Sequence, residues 1–233
     1  MRLGVDLQSV SRFRRIAQHP RMRGCLFTER ELAQAEGLAP ERYAERLAGR
    51  FSAKEATCKV LGRGFGQGVR WRDIEIVSNE WGAPLVFLSG GARAVADRAG
   101  LTRFQLTLSH QADLVIAVAA AEELPERRPD NGSGGKPTLK REVSPIMSTP
   151  TLSNETSRLH EIATIAADLF TVSVDEVKEA ESFVNDLGTD SLLAIELLCQ
   201  LEKRFDVQID EGQAPLMVNL RGTYDVVAEI AGW

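Results

Sequence analysis

Apolar and polar positions change rhythm twice along the 233 residues. The first stretch mixes two periods. Leu3-Gly4-Val5-Asp6-Leu7 is a short strand-like run, and Phe104 to Leu108 alternates apolar and polar side chains as a half-buried strand does. Ile74 to Val77, Leu85 to Leu88 and the nearly all-apolar Leu114 to Ala119 read as further strands, with a turn at Trp81-Gly82-Ala83-Pro84. Ser9 to Ala17, Glu29 to Glu36, Arg42 to Leu61 and Arg93 to Ala99 instead carry helical periodicity. Thr28 or Glu29 suits a helix start, and Ala39-Pro40 punctuates before the longest helix.

The segment Glu122 to Pro150 breaks both rhythms. It holds Pro125, Pro129, Pro137, Pro145 and Pro150 of the nine prolines, the run Asp130-Asn131-Gly132-Ser133-Gly134-Gly135, and few large apolar residues. Such a composition buries too little surface to offset chain entropy, and it predicts a linker. Beyond it the pattern is helical: Glu155 to Phe170, Ser191 to Phe205 with Leu193, Leu197, Leu201 and Phe205 on one face, and Thr223 to Ile230, with a short turn of helix near Leu216 to Leu220. The expected organisation is an α+β domain over residues 1–121, a flexible linker over 122–152, and a small all-α four-helix domain over 153–233.

Charge sharpens this division. The net charge of −5 conceals 18 Lys/Arg against 12 Asp/Glu in residues 1–121, and 5 against 16 in residues 151–233. A basic half tied to an acidic half suggests complementarity between them or between copies; two unrelated domains of different pI would look the same. Three scattered cysteines, Cys25, Cys58 and Cys199, lack zinc-ligand spacing and read as reduced thiols. No apolar run is long enough to span a bilayer, and the start lacks a signal-peptide pattern, so a cytoplasmic protein without a membrane partner is expected. Arg12, Arg14, Arg15, Arg21 and Arg23 form a basic cluster, but no interleaved aromatics or nucleic-acid motif accompany it.

Candidate chemistry gathers in three places in the first domain: Asp6, the helix segment from Arg50 to Lys59, and Ser109-His110. Glu55 and Lys59, four apart, share a helix face. Asp6 and Glu55 would suit magnesium, which takes one or two carboxylates and completes its shell with water and substrate phosphates. Lys59 would then reach the same phosphates. Glu55–Lys59 is equally a common solvated helix pair, and Asp6 is equally a cap for the next turn. Gly62, Gly64, Gly66 and Gly68 follow a helix instead of opening one, so they match no nucleotide-binding loop.

Read in order, Gly4-x-Asp6, Phe27-Thr28-x-x-Glu31, Leu47-Ala48-Gly49-Arg50-Phe51-Ser52-Ala53-Lys54-Glu55-Ala56-x-x-Lys59-x-x-Gly62-x-Gly64, Gly82-x-Pro84 and Leu108-Ser109-His110 resemble the holo-acyl-carrier-protein synthase family of phosphopantetheinyl transferases. The resemblance covers essentially all of residues 1–120. It implies transfer of 4′-phosphopantetheine from coenzyme A to a carrier-protein serine, with Mg2+ on Asp6 and Glu55 and the phosphates on Lys59. It implies Arg50, His110, Gly62, Gly66 and Pro84 as coenzyme A contacts. It further implies a homotrimer with sites between subunits, and a carrier-docking helix bearing Arg12, Arg15 and Arg21.

Phe183-Val184-Asn185-Asp186-Leu187-Gly188-Thr189-Asp190-Ser191-Leu192 resembles the acyl carrier protein signature. Asp190 suits an N-cap that leaves Ser191 exposed at the first helical turn, where backbone amides favour a phosphate. The resemblance implies Ser191 as the phosphopantetheine attachment site, with Asp186, Asp190, Glu196 and Glu202 as candidates for the face that partner enzymes read. Leu193 and Ala194 depart from common fatty-acid carriers, so a polyketide or other specialised pathway stays open beside fatty acid synthesis. Two rival expectations stand beside this one: a first domain that only docks or oligomerises, and a carrier half that is never modified.

Overall fold

Strand β1 (Arg2–Ser9) and helix α4 (Pro40–Leu61) form the spine of the first half of the computed structural model, which describes residues 1–65, 67–124, 152–210 and 212–233. Between them come α1 (Val10–Gln18), α2 (Pro20–Leu26) and α3 (Glu29–Ala33). The hairpin β2 (Ile74–Ser78) and β3 (Pro84–Leu88), helix α5 (Gly90–Arg98), and strands β4 (Leu101–Gln111) and β5 (Leu114–Glu123) follow. β5 lies between β1 and β4 in an antiparallel sheet, with Gly4 opposite Ala119 and Asp6 opposite Ala117.

The two-residue period of β1 decides what faces α4. Gly4, Asp6 and Gln8 turn toward the helix; Leu3, Val5 and Leu7 turn away and are exposed. The helix rests on the small side chains Ala117, Ala119 and Ala121 of β5. The approach at Gly4 is so close that a Cβ there would lie 2.1 Å from the Ala56 carbonyl oxygen, which only glycine permits. At the other end of α4, Gly62 ends the helix with φ +67°, the left-handed conformation of a C-cap.

One buried ion pair pins α3 and the hairpin to α4. Lys54 Nζ lies 2.9 Å from Glu31 Oε2 with both side chains fully buried, and it also donates to the carbonyls of Trp71 and Ile74. Glu31 closes a capping box with Thr28 and accepts from the Ile76 amide at 2.9 Å. The Thr28-x-x-Glu31 motif and Lys54 therefore hold the fold.

In the second half, α6 (Leu152–Phe170), α7 (Val174–Glu179), α8 (Phe183–Leu187), α9 (Ser191–Phe205) and α10 (Leu220–Ala231) enclose Ile162, Ala166, Leu192, Leu197, Leu201 and Val227. A single apolar cluster continues from α1 and α2 into these helices, so the halves are packed together.

Several boundaries differ from the sequence reading. β4 runs from Leu101 to Gln111, so it extends beyond the expected Phe104 to Leu108 and takes in Ser109 and His110 near its end. β5 reaches Glu123 and α6 begins at Leu152, both inside the segment read as linker; residues 125–151 of that segment lie outside the described residues. Ser9, not Asp6, caps α1, because Asp6 is held inside the strand. α2, α7 and α8 were not expected. Pro20 at the first turn of α2 and the Ser173/Glu176 capping box of α7 are the local signals that start them. The turn expected near Leu216 to Leu220 is a 3-10 turn at Ala214–Leu216, one stretch earlier.

Candidate active site

Helix α4 sorts its charged side chains by angle. Lys54 points into the core. Glu55 and Lys59 share the face beside β1. Arg50, five residues before Glu55, sits about 140° round the helix. Strand β1 meets this face with Asp6. Lys59 Nζ lies 3.0 Å from Asp6 Oδ1 and 2.7 Å from the Val5 carbonyl oxygen. Asp6 Oδ2 accepts from Gln8 Nε2 at 3.2 Å.

Glu55 is buried, and its Oε1 has no hydrogen-bond partner. Burial pushes its pKa up to about 7; the neighbouring Ser191 hydroxyl and Lys59 pull it down, while Asp6 and Asp190 push it up. Two mutually repelling carboxylates with one orphaned buried oxygen are a donor set that a divalent cation would satisfy. Among the described residues no group of three or more His, Cys, Asp or Glu gathers for a metal. Asp6 and Glu55 could give a hard cation two oxygens, with water and ligand completing its shell.

Ser191 reaches this face from the other half of the chain. Asp190 caps α9, accepting from the Leu193 amide at 2.9 Å. Ser191 is not exposed, as the sequence suggested, but half-buried, because it rests against Glu55. Three ion pairs hold it there. Arg12 Nη1 and Nη2 lie 3.0 and 3.2 Å from the two oxygens of Asp190. Arg15 Nη2 lies 3.2 Å from Glu196 Oε1, and Arg21 Nη1 lies 2.8 Å from Glu202 Oε1. Burial raises the Glu196 carboxyl above its ordinary value, partly offset by Arg15 and Arg12. Asp186 takes no part; its carboxylate accepts from the Ser182 amide at 2.8 Å and braces α8.

The remaining expected contacts lie apart. Arg50, Pro84 and His110 line a cleft of about 460 Å³ together with Arg42, Glu45 and Arg46. Arg50 donates to Gln34 and Ser78, yet its buried Nε has no partner. Burial and the neighbouring Arg46 bring its pKa down to about 10, which leaves it charged. His110 Nε2 lies 3.0 Å from Glu45 Oε1. Sequence reasoning missed Arg42 and Arg46, although their spacing of four and eight residues from Arg50 places all three on one helix face. Gly62 lines a different groove of about 290 Å³ with Arg2, Arg63 and Arg98, and Gly66 lies outside the described residues. Within one chain, then, Asp6, Glu55, Lys59 and Ser191 come together, while Arg50, Pro84 and His110 form a second group.

Known proteins resemble both halves of the chain. Residues 160–214 match the family described as phosphopantetheine attachment site. A holo-[acyl-carrier-protein] synthase of Caldanaerobacter subterraneus is 40% identical over 121 residues, covering 51% of this chain and 92% of that protein. One from Desulforudis audaxviator is 44% identical over 123 residues, covering 51% and 90%. A crystal structure of the Helicobacter pylori holo-[acyl-carrier-protein] synthase in complex with coenzyme A shares 25% identity and a TM-score of 0.45, covering 52% of this chain and 99% of that one. Residues 2–119 match the 4′-phosphopantetheinyl transferase superfamily, and the chain belongs to that family.

Proposed function

We propose that this chain transfers 4′-phosphopantetheine from coenzyme A to Ser191 of a carrier domain of its own kind. The domains of this reading are a transferase over residues 1–121, a linker over 122–152 and an acyl carrier over 153–233. The observation that carries it is the placement of the Ser191 hydroxyl beside the Glu55 carboxyl by the paired Arg12–Asp190 contact, at the meeting point of a transferase-family half and a phosphopantetheine-attachment half.

On this reading Ser191 Oγ gives up its proton to the Glu55 carboxylate or to a water and forms a bond to the β-phosphorus of coenzyme A, the phosphorus that bears the pantetheine oxygen. The bond from that phosphorus to the bridging oxygen breaks, and adenosine 3′,5′-bisphosphate leaves. Asp6 and Glu55 would hold Mg2+, whose chemistry when bound is to neutralise the pyrophosphate oxygens. Lys59, fixed by Asp6 and the Val5 carbonyl, lays a positive charge beside the same phosphates. Asp190 and Arg12 fix the first turn of α9, so the hydroxyl keeps one orientation. Arg42, Arg46, Arg50 and His110 offer cationic and polar groups to the nucleotide portion in their cleft.

The active assembly is a homotrimer. The two groups of site residues sit on different parts of one chain, so one complete site needs a second copy. Leu3, Val5, Leu7, Leu114 and Ile116 also leave an apolar sheet face exposed, which a second copy would cover. A cytoplasmic location suits three cysteines that form no disulfide, and among the described residues no helix is long and apolar enough to cross a membrane.

The test is the intact mass of the purified chain before and after coenzyme A and Mg2+. The wild type is expected to gain one phosphopantetheine arm, and Ser191→Ala and Glu55→Gln none. Loading of Glu55→Gln at the wild-type rate would leave the first half a docking module and end this reading.

A further inference from the structure

Transferases and carriers ordinarily meet as separate molecules, and here both are on one chain. The carrier half is already seated on the docking face of its own transferase half. Arg12, Arg15 and Arg21 each hold an acid of the same chain's α9, and Ser191 rests on the same chain's Glu55. Ile195 and Leu198, which flank Glu196 on α9, are buried in this arrangement and belong to the apolar cluster shared with α1 and α2. Cys199, on the same helix, is half-buried, and burial pushes its thiol up to about 12.

We propose, on the transferase reading above, that each chain loads its own Ser191 and that the seated carrier closes the docking face to carriers from other chains. The argument is one of occupancy. Every basic residue that reads the acidic helix is already paired, and Glu55 already has a serine hydroxyl against it. A tethered carrier meets this face at an effective concentration on the order of millimolar, which a free carrier has to exceed. A trimer does not alter this: coenzyme A is held between chains, while the hydroxyl that attacks it comes from the chain that supplies Asp6 and Glu55.

Mixed chains test it. Glu55→Gln keeps its acceptor serine but lacks a working carboxylate; Ser191→Ala keeps the carboxylate but has no acceptor. Co-expressed and given coenzyme A and Mg2+, the pair is expected to stay unloaded by intact mass, while wild type gains one arm. Loading of the Glu55→Gln chain at a rate near wild type would overturn the proposal. Failure of wild type alone to load would instead sink the transferase reading, which keeps the two failures distinct.

A second mixture tests closure. The Ser191→Ala chain also carries Glu196→Arg and Glu202→Arg, which place charges of the wrong sign opposite Arg15 and Arg21 and free the face. The Glu55→Gln partner is now expected to gain its arm; continued absence of loading would refute closure. A readout that needs no activity is maleimide labelling of Cys199, which is half-buried in the seated arrangement and whose thiol burial pushes up to about 12. Labelling is expected to be slow in wild type and faster in Glu196→Arg/Glu202→Arg; equal rates in the two would overturn seating.

Discussion

Lys54 and Glu55 are neighbours on one helix, both are buried, and the protein treats them in opposite ways. Lys54 has its charge met by Glu31 and its remaining hydrogens taken by two carbonyls. Glu55 keeps one oxygen without a partner and receives at the other site only a serine hydroxyl from a different domain. A fully satisfied buried ion serves the fold; a half-satisfied one is an energetic debit that persists because something else is meant to bind there. The 100° step between adjacent helical residues is what allows one motif to serve both ends.

Removing each residue should separate the two roles. Lys54→Met strands the Glu31 carboxylate in the core and is expected to lower unfolding free energy by about 3–5 kcal/mol in urea titration. A loss under ~1 kcal/mol would erase the contrast. Glu55→Gln is expected to leave the denaturation midpoint unchanged or raised, while transfer to Ser191 falls about 100- to 1,000-fold in single-turnover mass measurements.

The pH dependence sharpens the contrast further. Folding raises the Glu55 pKa from 4.5 to about 7, so the folded protein holds a proton there that the unfolded chain has released. This group's contribution is intact below pH 4.5 and is lost as pH rises toward 7, by roughly 3 kcal/mol at most. In chelator-treated protein, wild-type stability should therefore fall across this window more steeply than that of Glu55→Gln. Parallel curves would show that the carboxyl is not strained.

The smallest effects belong to the domain interface. Arg21→Ala leaves Glu202 bonded only to the Ile209 amide and is expected to weaken docking by about 1–2 kcal/mol, read as faster maleimide labelling of Cys199 that speeds up again with added salt. Asp186→Asn, whose carboxylate braces its own helix, should change docking by less than ~0.5 kcal/mol.

Much of this was legible in the chain itself. The alternation in β1, the helical run through α4 and the capped start of α9 are local patterns, and local sterics and hydrogen bonding enforce them. The charge split left complementarity and unrelated domains equally open, and the structure pairs Arg12, Arg15 and Arg21 with Asp190, Glu196 and Glu202. α7 was overlooked despite its Ser173/Glu176 capping box, because a helix of six residues shows too little periodicity to announce itself. Asp186 stays exposed while its carboxylate accepts from the Ser182 amide, a local role that a carboxylate in an acidic run does not reveal.

The sequence by itself determined which residue types stand at which helical and strand phases, and so which charges the protein has to spend. Only the tertiary structure decided that Lys54 is clamped while Glu55 is left wanting, and that Arg50 and His110 lie in a cleft away from Asp6. It alone decided that Ser191 is seated against its own chain's carboxylate. Those outcomes depend on burial and on contacts between residues from about 20 to more than a hundred positions apart, and the energy of a charge is set by such surroundings and not by its place in the chain.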